Sequence, residues 1–365
     1  EGIQIYCLTG LGKGTPETLG LRSRKGERVN AVFVAFSDRM SQVLSAADLV
    51  GRHLSASLRV PAVLDAVTAA TAGEGGASVD YEIRVPMPRS FRAHVSCLGP
   101  SRGALIVLRD LTREQQIERM RADFVANASH ELRTPLAAIL GFVETLQDPN
   151  AGGDAQTRSR FLSIIENEAK RMRQLVDDLM SLSRIEADKH RQPTELIALP
   201  DLISEVVAVA RQNLGERGAD IVIRPDRNLP QIMGDRTQIG QLLHNLINNS
   251  AKYGRPGTPI TIIVRAVEPT MVRLEVSDEG EGIAPDHLPR LTERFYRVDS
   301  GRSRSLGGTG LGLAIVKHIV ERHRGRLDIH SEIGKGTSIS VLLPQTERSA
   351  SSQKDDADRI TVPLS

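Results

Sequence analysis

Long apolar runs are missing from the sequence. The longest obvious one in 365 residues, 104–108, falls far short of the roughly eighteen needed to cross a bilayer and reads as a strand. Cysteine is scarce. Cys7 and Cys97 are the only two; they lie far apart without metal spacing and suit a reducing compartment rather than a disulfide framework. Neither sign of charge is in excess. With 47 basic and 45 acidic residues the net charge is +2, which leaves nothing global to hold nucleic acid or an anionic membrane. Two chemistries fall to single missing residues. Gly12-Lys13-Gly14 lacks the upstream glycine and the Ser or Thr after the lysine that a phosphate loop requires. After His130-Glu131 the chain has Thr134 where a zinc-protease helix needs a second imidazole. No haem or flavin signature is visible, so no sensory cofactor is assigned.

The apolar fraction of 40% is ordinary for globular material, and the length suits two or three domains. In 124–136, Val125, Ala128, Leu132, Leu136 and Ile139 recur at steps of three and four, the spacing of a buried helical stripe. His130, Arg133 and Thr134 fall off that stripe, so His130 is expected to face solvent or a partner. A free histidine, with a pKa of about 6.5, is mostly uncharged at neutral pH and can attack through a ring nitrogen. Thr134 lies one turn on, and Pro135 removes a helical hydrogen bond to Glu131, which predicts a bend. Helices are expected over 112–147 and 157–187; the second carries Phe161, Ile165, Glu168, Met172, Leu175, Leu179 and Leu182 near heptad spacing. Two helices alone cannot enclose such a stripe, whereas two copies can.

Upstream the pattern is mixed: strands over 31–36, 79–85, 91–98 and 103–109, and a helix over 61–70. Beyond Pro193 an α/β pattern predicts helices over 201–212, 236–253 and 312–322 and strands over 220–224, 260–266, 271–277, 325–330 and 337–343. In 236–253, Asn245 and Asn249 share one helical face with Lys252 and Tyr253 a turn further on. Amide oxygens suit a magnesium ion that bridges to phosphates, and the lysine suits phosphate charge. The strand 271–277 delivers Asp278-Glu279-Gly280-Glu281-Gly282; a carboxylate there can accept from an exocyclic amine, and the glycines permit a tight turn against a ring. Gly308, Gly310 and Gly312 precede a helix, where backbone N–H groups face phosphate, although the spacing is not that of a dinucleotide fingerprint. Residues 284–306 are expected to form a mobile lid; its Arg297, Arg302 and Arg304 suit phosphates or simply solvent. Gly334-Lys335-Gly336-Thr337 fits a tight turn and receives no direct role.

In this order the motifs resemble those of sensor histidine kinases of two-component systems, over residues 110–344. Ser129 to Leu136 is similar residue for residue to their phosphoacceptor box, 241–253 to the N box, 293–299 to the F box and 307–314 to the second glycine box. Ser250 departs from the alanine common in the N box. The resemblance implies that His130 accepts phosphate, that Glu131 acts as base or orienter, and that Thr134 positions water for dephosphorylating a regulator. It implies ATP and Mg2+, with Asn249 as the metal ligand, Asn245 in support and Asp278 on the adenine amino group. Lys252, Tyr253, Gly280, Gly282, Gly308, Gly310 and Gly312 complete the expected nucleotide site.

The expected fold is multidomain α+β. Residues 1–29 are unassigned; 30–110 resemble a PAS-like α/β sensor domain, ending as such domains do in Asp110-Leu-Thr-Arg-Glu114 but without a clean first hairpin. Residues 111–190 are expected to form a dimerisation and histidine-phosphotransfer domain, an antiparallel four-helix bundle with two helices per chain. Residues 191–346 would be an α/β sandwich ATP-binding domain of the gyrase, chaperone and histidine-kinase type, and 347–365 a disordered tail. The implied partners are a second copy and a response-regulator receiver domain, with no nucleic acid. The narrower resemblance, through 295–299 and 307–327, is to phosphate-regulon sensor kinases, hence an expected phosphate-starvation signal. The chain as given is expected to be cytoplasmic; it begins at Glu1 rather than methionine, and such kinases often carry upstream membrane helices. Two other functions use the same residues: a non-catalytic nucleotide-binding sensor scaffold, and an ATPase of the related superfamily, which needs a water-activating glutamate in the nucleotide domain.

Overall fold

A computed structural model describes residues 4–8, 31–36, 58–84, 88–98, 104–148, 154–188, 191–226, 229–267, 270–299 and 308–346. The chain divides into two compact units, 1–126 and 127–365. The expected tail, Arg302, Arg304 and most of residues 1–29 lie outside the described residues. No helix among those described is long and apolar enough to cross a membrane.

The first unit is a five-stranded sheet with one helix against it. Its strands are β1 (Gln4–Leu8), β2 (Ala31–Phe36), β3 (Ala77–Ile83), β4 (Arg89–Cys97) and β5 (Ala104–Asp110), in the order β1-β2-β5-β4-β3. β1 lies parallel to β2 and β2 parallel to β5, while β5, β4 and β3 are antiparallel neighbours. Strand β1 falls in the stretch to which the sequence assigned nothing. Alternation puts Phe91, Ala93 and Val95 of β4 on the same face as Ala104, Ile106 and Leu108 of β5. Helix α1 (Pro61–Ala72) covers that face with Val63, Val67 and Ala70; proline starts it and Gly73, at φ 93°, ends it.

The second unit holds an α/β layer and a helical pair, the first helix of which begins in the first unit. Helix α2 (Thr112–Gln147) runs through Pro135, and α3 (Ala155–Ala187) begins at Asp154, whose carboxylate accepts from the Thr157 N–H at 2.8 Å. Phe142 of α2 and Phe161 of α3 meet with ring centroids 5.1 Å apart. Leu175 and Leu182 of the heptad stripe are buried. The stripe of α2 is not: Val125 is 63% exposed and Leu136 46%.

Beyond the pair, β7 (Ile221–Pro225), β9 (Ile260–Val267), β10 (Met271–Asp278), β11 (Arg326–Glu332) and β12 (Gly336–Pro344) form a mixed sheet ordered β11-β12-β10-β9-β7. Helices α4 (Leu199–Asn213), α5 (Arg236–Tyr253) and α6 (Gly312–Arg322) pack on it and on one another. Helix α5 shows why. Ile239, Leu242, Leu243, Leu246 and Ile247 recur at three and four and are all buried toward the sheet, so its amide face must look outward. A separate ladder, β6 (Glu195–Ile197) with β8 (Ile232–Gly234), was not foreseen, because three residues carry too little alternation to register.

Buried His323 pins the start of α5 to the end of α6. Its Nε2 accepts from the Asp235 N–H at 3.0 Å, its Nδ1 donates to the Ile319 carbonyl at 2.7 Å, and Arg322 reaches the Asp235 carboxylate at 3.1 Å. Burial pushes the imidazole below its usual range; the bond to Ile319 opposes this, the Arg322 charge adds to it, and the Asp235 charge opposes it. The folded protein thus holds His323 neutral, and the stability this confers is complete above the ordinary value of about 6.5 and is lost as pH falls from there through the depressed folded value. Urea titrations at pH 7.5 and 5.5 should show the wild type losing more stability than His323→Gln, by up to about 1.4 kcal/mol per pH unit within that window. Equal losses would remove His323 as the titrating group.

Candidate active site

Above the outward face of α5 lies a cavity of about 440 Å³. Asn245, Asn249, Lys252 and Tyr253 of α5 line it, Asp278 and Gly282 come from the end of β10, and Gly308, Gly310 and Gly312 from the approach to α6. These are residues that the motifs single out, drawn together from separate segments; Gly280 stands just behind the wall, its N–H donating to the Asp278 carboxylate at 3.0 Å. The glycines are needed. Gly282, at φ 74°, and Gly310, at φ 72°, lie in the left-handed region, and a β-carbon on either would run into the backbone of Glu332 or Phe295. Phe295 itself has φ 64°, and its N–H donates to the Gly310 carbonyl at 2.8 Å, so two unusual backbones are locked together at the cavity edge.

The charges sort along the cavity. At the β10 end, burial raises the Asp278 carboxyl, while bonds from Gly280, the Ser250 hydroxyl and the Thr337 N–H, and then the charge of Arg217, hold it down. At the other end Lys252 is pulled below the usual ammonium range by the protein crowding it, although part of the side chain stays exposed; Asp178 opposes that shift and Arg297 adds to it. Asn245 uses its amide N–H on the Gly312 carbonyl at 3.4 Å, leaving its oxygen available to a cation. Among the described residues no three His, Cys, Asp or Glu side chains cluster to hold a metal. A cation here would have to take amide oxygens from the protein and the rest from its ligand, which suits magnesium bound to phosphates.

The α2–α3 pair reaches this cavity. Gln174 and Asp178 of α3 form part of its wall. Asp178 is only 4% exposed; it accepts from the Thr309 hydroxyl at 2.7 Å and the Gln174 amide at 2.8 Å. Burial raises its carboxyl, and those two bonds and then Lys252 restrain it. His130 is exposed on α2 and does not line the cavity. Its neighbour Glu131 makes the link: it pairs with Arg171 at 3.3 Å and with Arg297 at 3.5 Å, and Arg297 both lines the cavity and bonds the Gly308 carbonyl. The Thr134 hydroxyl donates to the His130 carbonyl at 3.2 Å.

Several lining residues were not foreseen. Asp178 could have been suspected, since it is a carboxylate three residues after Leu175 and four before Leu182, on the buried face of α3. Thr337, in the turn to which no role was given, lines the cavity and serves Asp278. The expected lid is partly built of regular structure: Pro285–Arg290 is a 3-10 helix, and His287 bonds the Tyr296 hydroxyl at 2.7 Å under the Arg290 guanidinium.

Residues 120–188 match the model for the His Kinase A (phospho-acceptor) domain, and 234–347 that for the Histidine kinase-, DNA gyrase B-, and HSP90-like ATPase; together they take in about half of the chain. The chain belongs to the sensor histidine kinases of two-component systems. It is similar to the Phosphate regulon sensor protein PhoR of Pseudomonas aeruginosa, 40% identical over 267 residues that cover 72% of this chain and 59% of that protein. It is also similar to the Sensor protein SrrB of Staphylococcus aureus, 35% identical over 249 residues, 68% of this chain and 42% of that one. The chain thus spans about half the length of these relatives. Among solved structures it is similar to the Acinetobacter baumannii histidine kinase AdeS, at 26% identity and a TM-score of 0.46, covering 60% of this chain and 98% of that one.

An ionised Asp178, bonded to Thr309, would oppose any phosphate brought to the same end of the cavity. Asp178→Asn keeps an acceptor for Thr309 and removes the charge, so a fluorescent ATP analogue should bind roughly three- to tenfold more tightly. Equal or weaker binding would show that Asp178 does not oppose phosphate.

Proposed function

We propose that the chain is an ATP-dependent protein histidine kinase that phosphorylates His130 and passes the phosphoryl group to an aspartate on the receiver domain of a response regulator. One observation carries this: an exposed histidine whose neighbour Glu131 is tied, through Arg297, to a cavity bearing Asn249, Lys252 and Asp278. ATP is the substrate. A ring nitrogen of His130 forms the bond to the γ-phosphorus as the bond from that phosphorus to the β–γ bridging oxygen breaks, and ADP leaves with the electron pair. Asp278 accepts from the adenine amino group, and Gly280 and Gly282 bring the backbone against the ring. Lys252 and the N–H groups around Gly308, Gly310 and Gly312 offset phosphate charge, with Tyr253 on the wall. Asn249, supported by Asn245, would hold Mg2+, which supplies neutralisation of the phosphate oxygens. Glu131 orients the imidazole or takes its proton. Since His130 does not line the cavity, transfer requires movement of the nucleotide layer along the helical pair or the histidine of a second copy.

The same reading extends to the organisation of the protein. Leu136, Leu140, Leu162, Val176 and Met180 are exposed apolar residues on α2 and α3, which supports a two-fold dimer with a four-helix bundle. The proposed domains are a PAS-like sensor over 30–110, the dimerisation and phosphotransfer helices over 111–190 and the ATP-binding layer over 191–346. The sheet with α1 on one face supports the sensor assignment. The likeness to PhoR supports a role in signalling phosphate starvation. Thr134, one turn from His130, is proposed to position water for dephosphorylating the regulator, a second activity.

Incubation with γ-labelled ATP tests the first reaction. The wild type should carry an acid-labile label, and His130→Gln should carry none while still binding nucleotide; label on another side chain, or free phosphate without labelled protein, would overturn the assignment. Thr134→Ala should spare this labelling and slow dephosphorylation of the regulator at least tenfold, a loss of the order expected for a positioning group. Equal slowing of both reactions would contradict the division of roles.

A further inference from the structure

The N box departs from its family's usual residue at one position, and that position is built into the cavity from below. Ser250 is 4% exposed and lies on the inward face of α5, directly after Asn249. Ser250 and Asp278 both line the cavity, and the Ser250 side chain helps to hold the Asp278 carboxyl down. The Ser250 carbonyl accepts from the Gly254 N–H at 2.9 Å and from Arg217 Nη2 at 3.5 Å. Arg217 sits in the 3-10 turn Gly215–Asp220, with its side chain 17% exposed. Its Nη1 donates to the Asp220 carboxylate at 2.5 Å, to the Arg255 carbonyl at 2.9 Å and to the Thr258 carbonyl at 3.4 Å. One guanidinium therefore ties together the turn before β7, the end of α5 and the loop that follows it. Gly254 makes the approach possible. It pairs with Gly280 as an antiparallel bridge, and a β-carbon there would stand 3.0 Å from Arg217 Nη2 and 3.2 Å from the Asp278 β-carbon. Arg217 and Asp278 are thus separated by a glycine with no side chain.

We infer that Ser250 and Arg217 are positioning residues for base recognition: Ser250 aims the Asp278 carboxylate at the exocyclic amine of adenine, and Arg217 holds Ser250 and stands beside that carboxylate with only Gly254 between them. The inference rests on the nucleotide reading above. Ser250 lines the cavity, and Arg217 acts from outside its lining. Ser250 supplies direction, since a hydroxyl donating to one carboxylate oxygen fixes the plane of the group and leaves the remaining lone pairs for the base. Arg217 supplies charge, since its field lowers a carboxyl that burial alone pushes up. A merely structural role, packing the loop 254–258, would support all ligands of the cavity alike.

The two roles separate when ATP is compared with ITP, which carries a carbonyl oxygen where adenine has its amine and so offers an acceptor to an acceptor. Equilibrium binding to the full chain should favour ATP in the wild type. In Ser250→Ala, ATP affinity should fall about three- to tenfold, the range of one lost hydrogen bond, with ITP affinity unchanged, so that the preference shrinks. Arg217→Gln should shrink it in the same direction and Arg217→Lys should restore much of it. Both Ser250→Ala and Arg217→Gln remove something that stabilises the ionised carboxylate, so the acid limb of ATP binding should move to higher pH. Equal weakening of ATP and ITP, or an unchanged ratio and acid limb, would overturn the inference while leaving the nucleotide reading in place. Should Ser250→Ala fail to fold, the two Arg217 variants decide by the same ratio. A wild type that binds ATP no better than ITP would remove the assignment of Asp278 to the base, and this inference with it.

Discussion

Helix α5 can satisfy its apolar residues in one orientation only. Five buried aliphatic side chains, Ile239, Leu242, Leu243, Leu246 and Ile247, face the sheet, and rotating the helix would expose them at a cost of about 1.5–3 kcal/mol each. That constraint turns Asn245, Asn249 and Lys252 toward the cavity without any further device. Its ends are fixed as firmly: Asp235 caps the start, accepting from the Gln238 N–H at 3.2 Å while His323 and Arg322 hold it from α6, and Gly254 closes the finish under Arg217. Placement of the polar face is therefore inherited from burial of the apolar one. The carboxylate of Asp278 meets that face because β10 lies centrally in the sheet between β9 and β12, with Ser277 paired to Thr261 and Ser338.

Beside the buried Leu175, Leu182 and Ile185 of α3, the seam between the helical pair and the nucleotide layer carries a set of polar contacts. Ser181 donates to Gln241 at 2.7 Å, Thr309 to Asp178, Arg297 pairs with Glu131, and Arg294 and His318 meet Glu186. Such contacts exchange for water far more cheaply than aliphatic packing, because partly exposed ion pairs contribute little net stability. The exception is Asp178. Buried carboxylates are stable only while their partners stay, and Thr309 belongs to the glycine-rich approach to α6 that any phosphate would also engage. The polar contacts of the seam are therefore the part that a ligand in the cavity can reach, through Thr309 and Asp178.

How much was legible follows from signal length. Long periodic segments declared themselves: α5 and α6 begin and end where the spacing puts them, and α2 spans 112–147 as read. Short or non-periodic pieces did not. The three-residue strands β6 and β8, the 3-10 turns and parallel β1 have no alternation or capping pattern of adequate length. The cavity residues with a motif around them, such as Asn249 and Asp278, were visible as residue types in an order, but the tertiary partners of Asp278 were not. Thr337 reaches it by strand pairing of β12 with β10, and Arg217 from a turn 61 residues earlier in the chain; no local pattern encodes either meeting.

The α2 stripe is not buried at Val125 and Leu136, and the mismatch has a physical reason. Val125 and Leu136 carry helical apolar spacing yet stay exposed, and so do Leu140, Leu162, Val176 and Met180 along the same pair of helices. The side of α3 turned to the nucleotide layer behaves otherwise, with Leu175, Leu182 and Ile185 all at 3% exposure or less. One face of the pair is thus finished and the other is not. Polar helices leave their outer face to Lys, Glu and Arg, and Glu166–Lys170, 2.6 Å apart, shows that α3 has such a face as well. Leu136, Leu140, Leu162, Val176 and Met180 are hence a third surface, neither solvated in the usual way nor covered among the described residues. Two copies related by a two-fold axis would set this surface against itself, since an isologous contact needs one self-complementary patch and nothing else.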